Sequence, residues 1–263
     1  METVSPVIAG AHVCKLIPCG LALHIRRVGP LVGATGSGKS SFLRAVILSL
    51  ALQYTPNEVT ISILDPKGLD FGAYIKLPHV GANRSVDEPE ACIEYLNKIL
   101  EHEMPARKAA LRKSGYPSVQ QHNEEAVAED YDTIPHHVII IDEYADLSMS
   151  AGKAASELEQ NVCRLAQVGR AFGYSIILAT QRPSVDIVSG KIKANFPCRI
   201  SFRLPTRNDS QVILDEAGAE DLLGNGDAIV KSSSSGLRVQ GYYVPTAEEM
   251  AIIAHLTSTR PII

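Results

Sequence analysis

The sequence predicts an α/β fold with a mostly parallel central sheet and helices on both faces. Three observations predict it: short apolar segments recur along the chain, each ends in a polar or glycine-rich turn, and stretches of helical periodicity lie between them. Uninterrupted apolar strands that alternate with helices are typical of parallel sheets, because both faces of such sheets are covered. Binding sites in these folds lie at the carboxyl ends of the strands.

The patterns place strands and helices in alternation. The predicted strands are Val59–Leu64, Val138–Ile141, Ser175–Ala179 and Arg199–Arg203. The predicted helices lie near Ser40–Leu52, Pro89–Lys113, Ala155–Gly169 and Ser210–Asp215. Within the third of these helices, Leu158, Val162 and Leu165 recur at helical spacing, which predicts one buried stripe.

Three segments are less regular. Pro30 lies in the strand before the first glycine-rich turn, and its missing N–H predicts a strand that starts late or is bent. The polar, weakly periodic segment 113–135 predicts a surface excursion rather than a domain boundary, and "KSSSSG" at 231–236 predicts a turn or hairpin loop.

Length and composition narrow the class of protein. A chain of 263 residues and 28.3 kDa fits one large α/β domain. Its apolar runs are too short to cross a bilayer and no signal-peptide pattern is present, so we expect a cytoplasmic location. Five cysteines without metal-ligand spacing predict reduced structural thiols. A net charge of -4 excludes a uniformly basic surface, yet not a local basic channel.

The glycine-rich turn "GATGSGKS" at 33–40 fits the phosphate-binding pattern GxxxxGK[ST]. Its glycines let backbone N–H groups turn inward around phosphate, and the next helix presents its positive N-terminus. Lys39 is expected to reach the β- and γ-phosphates of ATP, and the Ser40 hydroxyl to ligate Mg²⁺. The predicted nucleotide-binding residues are Gly33, Ala34, Thr35, Gly36, Ser37, Gly38, Lys39, Ser40 and Ser41.

Two more polar turns follow apolar strands. Asp142 ends the "VIII" strand and is placed to complete the Mg²⁺ shell, and Glu143 to polarise the attacking water. The alternative role for these acids is a helix cap. Thr180 and Gln181 end the next strand and can sense a γ-phosphate, although a plain strand-to-loop turn fits the spacing nearly as well.

A basic segment, residues 182–207, follows the second of these turns. It carries six basic residues and a single acid, Asp186. The basic residues are Arg182, Lys191, Lys193, Arg199, Arg203 and Arg207. Such clustering is typical of a channel that tracks phosphates, and a solvated basic face is the alternative.

The order of the motifs resembles the motor domain of the FtsK/SpoIIIE family of DNA translocases. The resemblance rests on "GATGSGKS", "ILDPKGLDF", "VIIIDEYADL", the stretch from "LAQVGRAFG" through "ATQRPS" to "KANFPCRISF", and "DSQVILDEAGAEDLLGNGDAI". It runs from Val28 to Tyr243. Residues 1–27 are then a lead-in segment, and residues 28–263 one motor domain.

The resemblance implies a RecA-like P-loop NTPase that binds ATP and Mg²⁺ between the subunits of a hexameric ring around duplex DNA. By position, Lys39 and Ser40 form the Walker A pair, and Asp142 and Glu143 the Walker B pair. Gln181 matches the sensor. Arg170 matches the arginine finger that reaches a neighbour's ATP, whereas the residues alone favour a helix C-terminal cation.

The resemblance also assigns DNA contacts. Arg182, Lys193 and Arg207 match channel-lining positions, and Lys191 lies in the same segment. Gln211 stands where the family commonly has Arg, so one contact between subunits or to phosphate is in doubt. The implied roles are chromosome segregation or conjugative DNA transfer, with a membrane-anchored partner or an anchor segment outside this chain.

Two other functions compete with DNA translocation. One is a protein-export motor that resembles the EccC ATPases of type VII secretion. The other is a nucleotide-gated assembly or signalling module with little turnover, against which intact Lys39, Asp142 and Glu143 argue. Stimulation of hydrolysis by duplex DNA separates the three.

Overall fold

The computed structural model describes residues 28–259 except positions 69, 82, 83, 233 and 234. The lead-in segment predicted at 1–27 lies outside the described residues. Eight strands form one sheet, in the order β3-β2-β4-β5-β1-β6-β7-β8. The strands are β1 (Val28–Val32), β2 (Val59–Leu64), β3 (Ser85–Val86), β4 (His136–Ile141), β5 (Tyr174–Thr180), β6 (Cys198–Phe202), β7 (Asp227–Ser232) and β8 (Ser235–Gln240). The first six of these are parallel, and β7 and β8 are antiparallel additions at one edge.

The helices alternate with the strands, as the sequence predicts. They are α1 (Lys39–Gln53), α2 (Pro89–Lys98), α3 (Met104–Ser114), α4 (Val119–Glu129), α5 (Tyr144–Ser150), α6 (Ala155–Val168), α7 (Gly190–Asn195), α8 (Arg207–Leu214) and α9 (Thr246–Thr259). Short 3₁₀ turns lie at Gly72–Lys76, Gly152–Ala154, Gly169–Phe172 and Ala219–Asp221.

The sheet is covered on both faces, which is why its strands read as continuous apolar runs. Alternate residues of each strand enter two separate cores. On one face, Ile140 of β4 packs with side chains of α1 and α9, such as Leu43 and Ile252. On the other, Ile141 packs with side chains of α2 and α6, such as Leu96 and Val162.

Pro30 distorts β1 without removing it from the sheet. It pairs with Leu178 of β5, while the register with β6 shifts between Val28 and Leu31. Because proline supplies no N–H, the ladder on that side is interrupted there. The strand thus starts before Pro30, and the irregularity that the sequence predicts takes the form of this shift in register.

Two details of the polar and helical segments were not predicted. Segment 113–135 contains α4, whose first turn is capped by the Ser118 hydroxyl accepting the Gln121 N–H. The single helix predicted at 89–113 is interrupted by a π-helical turn at Ile99–Glu103. Pro105, which cannot donate to a carbonyl four residues back, accounts for that turn.

The remaining predictions concern the β7–β8 hairpin and the thiols. Ser232 pairs with Ser235, so the predicted hairpin at 231–236 is confirmed. Cys92, Cys163 and Cys198 are free thiols, and burial raises the pKa of Cys92 to about 12. In the part of the chain that the structure describes, no helix is long and apolar enough to cross a membrane.

Candidate functional site

The phosphate-binding turn joins β1 to α1 at the carboxyl edge of the sheet. Gly36 and Gly38 have φ of 77° and 108°, conformations that glycine adopts without strain. The turn is packed tightly against the turn before β7, since the Gly226 N–H donates to the Ser37 carbonyl at 2.8 Å. A Cβ on Gly38 would lie 2.4 Å from the Gly226 nitrogen, so this close approach requires glycine.

A cleft of about 610 Å³, here called the nucleotide cleft, opens over this turn. Its lining includes much of the predicted phosphate-binding turn. It also includes residues that were not assigned to the site from sequence: Asp70, Asn225, Gly226, Gly241, Tyr242 and Tyr243. In the sequence, the glycines at 224 and 226 indicate a turn, because glycine adopts a positive φ without strain. Both have a positive φ in the structure. The two tyrosines carry no spacing that would have placed them there.

Lys39 and Asp142 form a buried ion pair on the floor of this site. The Lys39 Nζ lies 2.9 Å from the Asp142 Oδ1 and 3.0 Å from the Asp142 carbonyl oxygen. Both side chains are almost fully buried. Burial raises the pKa of Asp142 above its usual value, and the nearby Lys39 partly offsets this rise.

The residues present fit a nucleotide with a hard divalent cation. The Ser40 hydroxyl and the Asp142 carboxylate supply the oxygen ligands that Mg²⁺ prefers. Lys39 supplies a cation where phosphate oxygens would approach the turn. The Lys39 ammonium has three N–H groups and donates two hydrogen bonds to Asp142, so the third N–H can serve a phosphate oxygen.

Glu143 is held by the tip of β5. The Thr180 hydroxyl donates to the Glu143 Oε1 at 2.6 Å, and the Gln181 N–H lies within 3.1 Å of both carboxylate oxygens. The Gln181 side chain in turn accepts a hydrogen bond from the Thr35 hydroxyl at 2.9 Å. The predicted base, the predicted sensor and the phosphate-binding turn therefore form one connected group.

Arg170 lies at the amino ends of the parallel strands, whereas the nucleotide cleft lies at their carboxyl ends. It belongs to the 3₁₀ turn Gly169–Phe172, directly before β5, whereas Gln181 follows β5. The seven residues of β5 span about 20 Å at the usual rise per residue, further than an arginine side chain reaches. Arg170 therefore cannot contact the nucleotide cleft of its own chain.

A groove of about 890 Å³ surrounds Arg170 and is larger than the nucleotide cleft. Its lining mixes apolar side chains, such as Leu50 and Val127, with polar ones, such as Glu58 and His136. Because it lacks the glycine turn and the buried lysine, its size alone does not make it the nucleotide site.

The basic segment runs from the loop after β5 through α7 and β6 to the first residue of α8. Arg182 is exposed and its guanidinium contacts the Met149 sulfur at 3.2 Å. Arg207 is the exposed first residue of α8, and Lys191 lies 3.5 Å from Glu159. The eight residues of α8 separate Arg207 from the far end of that helix by roughly 12 Å.

Asp215, at the far end of α8, holds two other members of the segment. It accepts from the Lys193 Nζ at 2.8 Å and from the Arg199 Nη1 at 2.6 Å. Partial burial acts to raise the pKa of Asp215, but the hydrogen bonds from these two cations outweigh it and hold that pKa below its usual value. Lys193 is thus already paired with a carboxylate when DNA is absent.

Comparisons with known proteins identify the family of the chain. The model of the FtsK/SpoIIIE family matches residues 28–185. DNA translocase FtsK of Treponema pallidum (strain Nichols) is 40% identical over 230 residues, which cover 86% of this chain and 28% of that protein. DNA translocase SftA of Bacillus subtilis (strain 168) is 37% identical over 236 residues, covering 89% of this chain and 24% of that protein. The chain thus spans only about a quarter of these relatives.

Two solved structures share the architecture. The pCW3 conjugation coupling protein TcpA, solved with ATPγS, has a TM-score of 0.76 and 25% identity, covering 89% of this chain and 65% of that one. The cytoplasmic domain of the Thermomonospora curvata type VII secretion ATPase EccC has a TM-score of 0.76 and 26% identity, covering 88% of this chain and 28% of that one. The predicted RecA-like α/β fold is confirmed, and the chain belongs to the FtsK/SpoIIIE family.

Proposed function

We propose that this chain is the ATPase motor of a double-stranded DNA translocase. One observation carries the proposal: the basic segment begins at Arg182, the residue after Gln181, whose side chain contacts the phosphate-binding turn. A change at the γ-phosphate can therefore move the start of the basic segment directly. The names of the curated relatives, which are DNA translocases, support the same conclusion.

The residues of the nucleotide cleft divide the work of ATP hydrolysis. Lys39 binds and neutralises phosphate oxygens, and Ser40 and Asp142 would hold Mg²⁺, which supplies charge neutralisation at the phosphates. Glu143 accepts a proton from the attacking water as its oxygen bonds to the γ-phosphorus and the bond to the β-phosphate oxygen breaks. Gln181 senses whether the γ-phosphate is present.

The proposed assembly is a hexameric ring with its nucleotides between subunits. Arg170 supports it, since it lies on the edge of the sheet opposite its own nucleotide cleft and so can serve only the cleft of a neighbour. Contacts between opposite edges of identical chains are head-to-tail, and such contacts generate rings when the rotation closes. The site of action is the cytoplasm, with duplex DNA as partner and a membrane-anchored partner or segment outside this chain.

Protein export is the second candidate, because the cytoplasmic domain of a type VII secretion ATPase shares the fold at 26% identity. Steady-state ATP hydrolysis by the whole chain, with and without duplex DNA, tests the choice. We expect duplex DNA to raise turnover several-fold, and an unstructured polypeptide of similar negative charge to have no effect. Stimulation by the polypeptide alone would favour export.

The same assay tests the assigned residues. Lys39→Ala is expected to abolish ATP binding, whereas Glu143→Gln retains ATP and lowers turnover by roughly 10²-fold or more, the scale of losing water activation. A Glu143→Gln variant that hydrolyses ATP at the wild-type rate would remove Glu143 from the mechanism.

A further inference from the structure

The Thr180 hydroxyl joins two parts of the molecule that have separate roles. It donates to the Glu143 Oε1 at 2.6 Å and accepts the Arg182 N–H at 3.1 Å. Thr180 is 1% exposed and Glu143 is 2% exposed, so the hydrogen bond between them is shielded from water, while the bond from the Arg182 N–H is partly buried. One buried hydroxyl thus connects the carboxylate of the nucleotide cleft to the first backbone N–H of the basic segment.

The fold itself does not need this hydroxyl. The Thr180 backbone is already tied to the phosphate-binding turn, because its carbonyl accepts the Gly33 N–H and the residue pairs with Val32 of β1. Valine has the same shape and is equally suited to a buried strand. A buried hydroxyl is unfavourable unless it is hydrogen-bonded, and here both of its bonds lead to groups of the site.

We propose that Thr180 is a positioning residue that couples the basic segment to Glu143. The proposal rests on the function proposed above. With DNA absent, the Thr180 hydroxyl and the Gln181 N–H occupy the Glu143 carboxylate, which is then turned toward the tip of β5. When Arg182 engages a DNA phosphate, its backbone N–H shifts, the Thr180 hydroxyl follows, and Glu143 is freed to accept a proton from water.

The test compares hydrolysis with and without duplex DNA for Thr180→Val, which keeps the shape and removes the hydroxyl. We expect the stimulation ratio, which is turnover with DNA divided by turnover without it, to fall to about 1. Thr180→Ser, which restores a hydroxyl, is expected to recover most of the stimulation. The matched control is Thr60→Val, a buried threonine of β2 outside this group, which should keep the wild-type ratio.

Binding of a fluorescent ATP analogue shows that each variant retains the folded site. Thr180→Ala, which also lacks the hydroxyl, replaces the valine variant if valine prevents folding. A wild-type ratio in the hydroxyl-free variant would overturn the inference, even if both rates fall together. Loss of hydrolysis under both conditions, with ATP still bound, would also overturn it, because the hydroxyl would then serve the chemistry and not the coupling.

These outcomes are separate from failure of the proposed function. If duplex DNA does not stimulate the wild-type chain, DNA translocation and the coupling role both fail. If the wild type is stimulated and the hydroxyl-free variant is stimulated equally, only the coupling role of Thr180 fails.

Discussion

Lys39 and Asp142 illustrate what sequence can predict for a single residue. Each was assigned to the nucleotide site from its motif; Lys39 lines the nucleotide cleft, and Asp142 is its buried ion-pair partner. Their ion pair was not predicted, because it joins residues 103 positions apart and depends on β1 and β4 ending at the same edge of the sheet. A motif gives the residue types and their roles, whereas the partners present without ligand depend on the tertiary fold.

The basic segment is predicted to contact DNA phosphates through single side chains. Replacing Lys193 or Arg207 with Ala should weaken duplex binding about equally on unrelated sequences, because phosphate contacts carry no sequence information. The Arg207 change should reduce the slope of log affinity against log salt by about 1, and the Lys193 change by less, because Lys193 is paired with Asp215. Binding titrations at several salt concentrations, on two duplexes of unrelated sequence, measure both quantities.

Lys108→Ala is the control for general charge loss, since Lys108 is an exposed lysine of α3 outside the basic segment. It should leave the salt slope unchanged. If Lys193→Ala has no effect on any duplex, the basic segment is not the DNA channel, and protein export becomes the better account.

At the scale of elements, the strands with uninterrupted apolar runs were predicted nearly to the residue, because burial on both faces leaves a strong sequence signal. The helix α4 was missed, since its exposed surface weakens the apolar periodicity that reveals a helix. The turn before β7 was also not assigned to the site. Its role depends on contact with a turn almost two hundred residues earlier, which no local pattern reports.

The contact between the turn before β7 and the phosphate-binding turn can be tested at Gly226. Gly226 has a φ of 94°, and a Cβ there would lie 2.8 Å from the Gln240 Nε2 and 2.9 Å from the Gly241 carbonyl oxygen. Gly226→Ala should therefore displace the support of the phosphate-binding turn. Backbone strain of this kind amounts to about 1–3 kcal/mol, which corresponds to roughly 5- to 150-fold weaker ATP binding if it falls on the site.

Gly115→Ala is the matched control, because Gly115 has a φ of 80° but open space around its Cβ position. It should lower thermal stability while leaving ATP affinity within about two-fold of the wild type, since its strain lies outside the cleft. Equal loss of ATP affinity in the two variants would mean that global strain, and not the contact with the phosphate-binding turn, sets the effect.

At the scale of the whole molecule, the two ends of the parallel strands carry different functional residues. The carboxyl ends hold the nucleotide cleft, and the amino ends hold Arg170 and its groove. Only the family resemblance predicted that Arg170 acts as an arginine finger. The residues alone favour another role, because a cation at the end of a helix commonly binds the free carbonyls there. The place of Arg170 directly before β5, at the strand ends opposite the nucleotide cleft, supports the proposed role between subunits.

Mixing two inactive variants tests that role. Arg170→Ala subunits keep an intact cleft, and Lys39→Ala subunits keep an intact Arg170. Mixed rings should recover part of the wild-type hydrolysis, because an intact cleft can then meet an intact Arg170 of a neighbour. No recovery, with mixed rings demonstrated by a tag on one variant, would contradict a finger that acts between subunits.

Movement along DNA is the central claim, and displacement of a triplex-forming strand measures it most directly. The wild-type chain should release a third strand from a long duplex in the presence of ATP, and Glu143→Gln with ATP should not exceed spontaneous release. Release should also require free duplex beside the triplex, where the ring can load. A chain whose hydrolysis is stimulated by duplex DNA but which releases no third strand above the spontaneous rate would contradict translocation.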